Sequence, residues 1–190
     1  ISQFPQDFQD KAHEVLRDGF VDVMEKVGKR TGAYSSSVAN LHPFILLNFD
    51  HTLDSVFTVA HEAGHSIHSM YATQTQPTML QDYTIFVAEI ASTFNEHTLL
   101  DYFLSLPDAT KEEKIMVIQK AIDEIMSTFY RQTLFAEYEY LANHEVAKGN
   151  PINHQVLSQI MIDLYKKYYG LDITKEEVKQ YVWAYIPHLF

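Results

Sequence analysis

The chain of 190 residues contains no cysteine, no basic run and no long apolar run. Without cysteine it can form neither a disulfide nor a thiolate zinc site, so any metal ligands must be histidines or carboxylates. The net charge of −11 argues against a nucleic-acid partner, because no cluster of cations is present to neutralise phosphates. No apolar run approaches the length that spans a bilayer, so we expect no membrane partner.

The rest of the composition is typical of a globular protein. Hydrophobic residues make up 46% of the chain and aromatic residues 13%, which is enough to bury a substantial core. The length predicts a single domain covering residues 1–190. The lack of cysteine is compatible with a reducing compartment, and we expect a cytoplasmic location.

Helical periodicity dominates the chain, which predicts a mainly α fold. Apolar spacing and capping signals predict helices over residues 8–27, 53–72, 83–104, 110–147, 151–169 and 174–184. Residues 41–49 form the one convincing strand, and this strand leads directly into the second helix. We therefore expect a small β-sheet at a cleft beside the helices.

The second predicted helix carries the run His61-Glu62-Ala63-Gly64-His65. At 3.6 residues per turn, His61 and His65 lie one turn apart on the same face, so both imidazoles can reach one zinc ion. Glu62 is offset beside the metal, where it can take a proton from a zinc-bound water and pass it to a leaving amine. The alternative is a core helix with two buried histidines. We favour the metal site, because buried ionisable groups without partners are costly.

A catalytic zinc site needs three protein ligands and one open position. Glu89 on the third predicted helix is the best candidate for the third ligand, since its neighbours are small and apolar, as around a buried ligand. Glu96 lies two turns further along the same face, in a more polar stretch that suits a rim. Either carboxylate could bind the metal, and we favour Glu89. His68, seven residues after His61, is either a packed histidine or a residue with a role near the site.

These motifs resemble the oligoendopeptidase F branch of the thimet oligopeptidase family. The resemblance covers, in the family's order, residues 28–35, 43–48, 61–69, 89–96 and 186–190. It implies a zincin-like, mainly helical catalytic domain that holds one Zn²⁺ and hydrolyses bonds inside short peptides. As metal ligands it implies His61, His65 and Glu89. It also implies Glu62 as the catalytic carboxylate, and His188 as a histidine that contacts the substrate or the transition state.

The chain departs from that family in two ways. It lacks the large N-terminal helical part, and it stops at Phe190, before a tyrosine-rich stretch that supplies hydroxyl donors. We therefore expect it to be a piece of a longer enzyme, whose remainder is its partner.

The expected mechanism is metal-assisted hydrolysis with Glu62 as the base and His188 as a donor to the tetrahedral intermediate. The peptide would pair as an added strand with the edge formed by residues 41–48. Two alternatives stay open. One is a non-catalytic helical binding module with a structural metal site, in which His68 or Glu96 fills the fourth position. The other is a zinc exopeptidase, which would need a charged group to hold a substrate terminus.

Overall fold

A computed structural model describes residues 1–39 and 41–186 of the chain. Two compact units divide at residue 118. The principal elements, in chain order, are α1 (Gln6–Val15), β1 (Val21–Met24), β2 (Tyr34–Ser36), β3 (Phe44–Phe49), α2 (Leu53–Thr75), α3 (Ile85–Ser105), α4 (Lys111–Glu124), a π-helical segment (Ile125–Tyr130), α5 (Arg131–Ala147), α6 (His154–Tyr169) and α7 (Glu177–Gln180). Short 3₁₀ turns occupy Thr78–Leu80 and Val182–Tyr185. The expected mainly α fold with a small sheet is confirmed.

The sheet of the first unit has three strands in the order β1-β3-β2. β1 runs parallel to β3, and β2 runs antiparallel to it. Ile45 and Leu47 of β3 are 2% and 3% exposed, as expected for the central strand. The predicted strand is confirmed at Phe44–Phe49, although it begins three residues later than predicted. The prediction that it offers an edge to a peptide is wrong, because β3 is the central strand. Among the described residues, the edge strands of the sheet are β1 and β2.

The predicted helix over residues 8–27 is also wrong in its second half. α1 ends at Val15, and Gly19 then adopts a left-handed conformation with φ of 87°. The chain continues into β1, where Val21 pairs with Ile45 of β3. β-Branched residues that find a strand partner gain more from the pleated sheet than from helical periodicity, so tertiary pairing overrides the local pattern.

Helix α2 supports the sheet and carries the histidine motif. It is predicted within three residues at each end, and its inward face buries Phe57, Ala63 and Ile67. Ala63 and Ile67 pack with Ala12 and Val15 of α1 in one apolar cluster. This cluster fixes α2 between α1 on one side and the sheet on the other.

Two of the predicted helix starts in the second half of the chain are wrong. Thr110 does form the predicted capping box with Glu113, whose carboxylate accepts from the Thr110 N–H at 2.8 Å. By contrast, α6 begins at His154 with Asn153 as its N-cap, three residues later than predicted. α7 begins at Glu177 rather than after Thr174, and no side chain caps it. The Thr174 N–H donates to Asp172 at 3.0 Å instead of to the predicted capping box.

The second unit has its own core between α5 and α6. The buried side chains are Leu134, Tyr138, Met161, Leu164 and Ile173. None of the helices in the described ranges combines the length and the hydropathy that spanning a bilayer requires.

Candidate metal centre

The start of α2 is held by a network of short polar side chains. Thr52 is the N-cap, and its hydroxyl accepts from the Ser55 N–H at 3.2 Å. The carboxylate of Asp50 accepts from the Thr52 N–H at 3.1 Å, from the Thr52 hydroxyl at 2.7 Å and from the Ser55 hydroxyl. These bonds hold the pKa of Asp50 at about 2, and they fix where the helix begins.

His61, His65 and Glu89 converge on one point of the first unit. The Nε2 atoms of His61 and His65 are 3.1 Å apart. Glu89 Oε2 lies 3.5 Å from Nε2 of His61 and 3.8 Å from Nε2 of His65. In the described ranges these residues form the group of histidine and acidic side chains that is suited to hold a metal ion.

The spacing of the three ligand atoms fits zinc. A single ion can lie about 2 Å from all three, which is the usual length of zinc–nitrogen and zinc–oxygen bonds. Two imidazoles and one carboxylate also match the ligand types that catalytic zinc sites use. All three residues are partly exposed, so one side of the position stays open to the cleft.

Glu62 lies beside this group and is buried. Burial raises the pKa of its carboxyl, while the charge of His61 and a hydrogen bond from the Ser35 backbone N–H act in the opposite direction. Its Oε2 has no hydrogen-bond partner among the described residues. The Ser35 N–H therefore restrains the Glu62 carboxylate, while Oε2 remains a buried oxygen that can accept a hydrogen bond.

Glu96 contacts His61 on the opposite side of the ring from Glu89. Its Oε1 lies 3.2 Å from Nδ1 of His61. Burial lowers the pKa of His61, but the hydrogen bond and charge of Glu96, with smaller contributions from nearby carboxylates, outweigh it and raise the pKa. A carboxylate in this place orients the imidazole and makes it a more basic metal ligand. For His65, burial and the neighbouring His61 lower the pKa.

Glu89 is more exposed, and Glu96 is more buried, than the sequence predicts. The Glu89 side chain is 46% exposed, whereas that of Glu96 is 16% exposed. Glu96 contacts His61 and is mostly buried, whereas Glu89 faces the cleft. The polar residues next to Glu96 in the sequence therefore did not indicate its burial. Ser92, which is fully buried, donates to Glu89 Oε2 at 2.9 Å and holds that oxygen in place.

A cleft of about 530 Å³ opens beside the metal position. Its walls include His65 and Glu89, with Ser35 of β2 on one side and Tyr83 on another. The Tyr83 hydroxyl contacts the backbone oxygen of His65 at 3.2 Å, and its ring stacks on His68 at 3.9 Å. The geometry therefore favours the packed interpretation of His68, which is not one of the grouped ligands.

Sequence reasoning missed three small hydroxyl residues at this site. Ser35 and Ser66 join β2 to α2 through hydroxyls 2.8 Å apart, and Ser92 holds Glu89. Ser66 lies one turn after Glu62, and Ser92 lies three residues after Glu89. Helical spacing could therefore have indicated that each serine lies near its glutamate. Ser35 carries no such signal, because its place depends on the pairing of β2. His188 lies outside the described residues.

Comparison with known proteins decides the family. The family sequence model of peptidase family M3 matches residues 6–190 of the chain. The chain belongs to this family. The resemblance drawn from the motifs is thereby confirmed, and M3 peptidases are metallopeptidases.

Family M3 relatives match the chain over nearly its whole length. The chain is 38% identical to the chromosomal oligoendopeptidase F of Lactococcus lactis subsp. cremoris over 190 residues, which are 100% of this chain and 31% of the relative. It is 38% identical to the oligopeptidase PepF of Bacillus subtilis, over 93% of this chain and 26% of the relative. The chain thus spans about a third or less of the length of these relatives.

A solved structure of a Chlamydophila abortus protein, described as a peptidase, has the same fold. It is 41% identical to this M3 chain with a TM-score of 0.78, covering 99% of this chain and 32% of that protein.

Proposed function

We propose that this chain is the catalytic part of a zinc endopeptidase that hydrolyses short peptides. The observation that carries the proposal is the convergence of His61, His65 and Glu89, with buried Glu62 beside them, on an open cleft. Both named relatives from Lactococcus and Bacillus are described as oligopeptidases or oligoendopeptidases, which supports short peptides as the substrate class.

In this proposal, His61, His65 and Glu89 hold the ion, and Glu96 and Ser92 orient two of these ligands. When bound, zinc polarises the scissile carbonyl and makes a water molecule more acidic. Glu62 accepts the proton of the attacking water and returns it to the leaving nitrogen.

Two further parts of the proposal concern the extent of the enzyme. We propose that residues 1–190 act as one catalytic domain, with His188 as a donor to the tetrahedral intermediate, and that the enzyme works in the cytoplasm. We also propose that the domain acts together with further polypeptide, because this chain matches only 31% of the length of the Lactococcus relative. Exposed apolar side chains on α3, such as Phe86 at 81% and Ile85 at 76%, support a covering partner.

The test combines metal analysis with peptide cleavage by the complete protein. The parental protein should contain one zinc per chain and cleave a short peptide that is blocked at both ends. Glu62→Gln should keep the zinc and bind the peptide, but lose about 10²–10⁴-fold or more in turnover, because an amide cannot take the water's proton. Parental turnover in Glu62→Gln would show that another residue is the base.

The same assay separates the two alternatives. A structural metal site would give stoichiometric zinc without cleavage. Such a site would need a fourth protein ligand, but Glu96 faces the far side of the His61 ring and His68 stacks on Tyr83. An exopeptidase would cleave only peptides with a free terminus, so cleavage of the blocked peptide argues against it.

A further inference from the structure

We propose that Ser35 and Ser66 form a positioning pair that holds strand β2 against helix α2 and thereby sets the place of the Glu62 carboxylate. This inference rests on the proposed function, since it assigns Glu62 the role of base. The hydroxyls of Ser35 and Ser66 bond to each other, and the Ser35 backbone acts on the Glu62 carboxylate, so both serines are positioning residues.

The contact joins one residue of β2 to two successive turns of α2. The hydroxyl oxygens of Ser35 and Ser66 are 2.8 Å apart, and Ser66 is 0% exposed. Ser66 follows Glu62 by four residues, so both side chains lie on the same face of the helix. The Ser35 backbone N–H is hydrogen-bonded to the Glu62 carboxylate. The hydroxyl bond therefore lies one turn beyond the bond that holds the base.

The pairing of the sheet explains why the Ser35 N–H can reach Glu62. Ser35 lies opposite Ile45 in the antiparallel pair of β2 and β3. The Ile45 N–H points the other way, to the Phe20 carbonyl at 2.9 Å beside β1. In an antiparallel ladder the residue opposite such a position also directs its N–H and C=O away from the partner strand. The backbone of Ser35 therefore faces the outer edge of β2, on the side of Glu62.

Strand β2 is short, so few contacts hold it in place. It contains only three residues, and its burial alternates so that Ser35 is half-buried while Tyr34 and Ser36 are exposed. Beyond its pairing with β3, the described part of β2 is held to α2 through Ser35. Loss of the hydroxyl bond would let the strand shift and take its N–H away from Glu62. A misplacement of about 1 Å in a catalytic group can cost about 10²-fold in rate.

The experiment is a double-mutant cycle in the complete, zinc-loaded protein. Ser66→Ala and Ser35→Ala should each lower kcat about tenfold or more, with full zinc content and with KM changed less than about threefold. The double variant should lose little more than either single variant, because both remove the same bond. Ser35→Thr keeps the hydroxyl on a β-favouring residue and should retain most of the parental kcat.

Ser105→Ala is the control. It removes an exposed serine hydroxyl at the end of α3, which donates locally to the Tyr102 carbonyl at 2.7 Å, and it should leave kcat at the parental value. Independent, multiplying losses in the double variant would overturn the pair, as would parental kcat in both alanine variants. Loss of zinc in both single variants, Ser66→Ala and Ser35→Ala, would also overturn it. The serines would then support helix α2 and its metal ligands rather than the Glu62 base.

Failure of the proposed function looks different. In that case the parental protein does not cleave the peptide, or Glu62→Gln cleaves it at the parental rate, and this inference fails with it. Should Ser66→Ala unfold because the position is buried, the half-buried Ser35→Ala and its rescue by Ser35→Thr still decide the question. A kcat that falls in Ser35→Ala and returns towards the parental value in Ser35→Thr supports the pair, and any other result overturns it.

Discussion

The backbone carbonyl of Ala91 lies so close to Gly64 that a β-carbon at Gly64 would stand 2.6 Å from its oxygen. The same β-carbon would be 2.8 Å from the Cα of Ser92. Helices α2 and α3 therefore cross at the glycine of the histidine motif. This crossing brings Glu89, two residues before Ala91, to the two imidazoles.

Gly64→Ala should separate the two helices and weaken the metal site. Because the clash is with backbone atoms of α3, no side-chain rotation can relieve it, and overpacking of this kind costs about 1–3 kcal/mol. We expect a lower Tm and a weaker zinc affinity, measured by thermal unfolding and by competition with a chelator. Gly64→Ser should be worse than Gly64→Ala. An unchanged zinc affinity in both would show that the close crossing does not position Glu89.

Glu89→Ala and Glu96→Ala should differ in their effect on zinc. Loss of Glu89 removes a ligand atom, so zinc occupancy should fall sharply, as in His61→Ala and His65→Ala. Loss of Glu96 removes only the partner of Nδ1 in His61, which typically costs about 10–100-fold in affinity and leaves a saturated site full. Zinc analysis at saturating and at limiting metal checks both. Full zinc in Glu89→Ala with loss in Glu96→Ala would reverse the ligand assignment.

Asp50→Asn should change how stability depends on pH. The folded pKa of Asp50 is about 2, below the ordinary 3.8, so folding favours the charged form. Its contribution is therefore complete above about pH 4 and disappears as the pH falls towards 2. Metal-free parental protein should be more stable than Asp50→Asn at pH 5, and this difference should shrink by pH 2. Urea unfolding followed by circular dichroism measures it, and a difference that is constant with pH would contradict the assignment.

Residues 1–190 alone should bind zinc but hydrolyse peptides poorly compared with the complete protein. The metal ligands lie on two adjacent helices, so the metal site needs only local structure. Transition-state donors and peptide positioning are expected from further polypeptide, and losing one oxyanion donor costs about 10²–10³-fold in turnover. Turnover of both polypeptides on the same peptide at matched zinc content tests this. Equal turnover would mean that residues 1–190 hold the whole catalytic apparatus.

The local part of the site could be predicted from the sequence. His61 and His65 converge because positions i and i+4 share a helix face, a consequence of backbone geometry that needs no partner. The same periodicity predicted α2 and α3 to within three residues. The prediction from helical periodicity was wrong where a segment can also pair as a strand. Val21–Met24 has a helical pattern but pairs with β3.

Tertiary structure decided which carboxylate meets which atom. Glu89 and Glu96 lie on one face of α3 and are equivalent in the helical pattern. The crossing of α3 over Gly64 places Glu89 at Nε2 of His61 and Glu96 at Nδ1 of the same ring. Likewise, only the register of β2 on β3 turns the Ser35 backbone towards Glu62. Spacing along a helix follows from the repeat of its own hydrogen bonds, whereas contacts between elements depend on packing distances and strand register, which arise only when the elements meet.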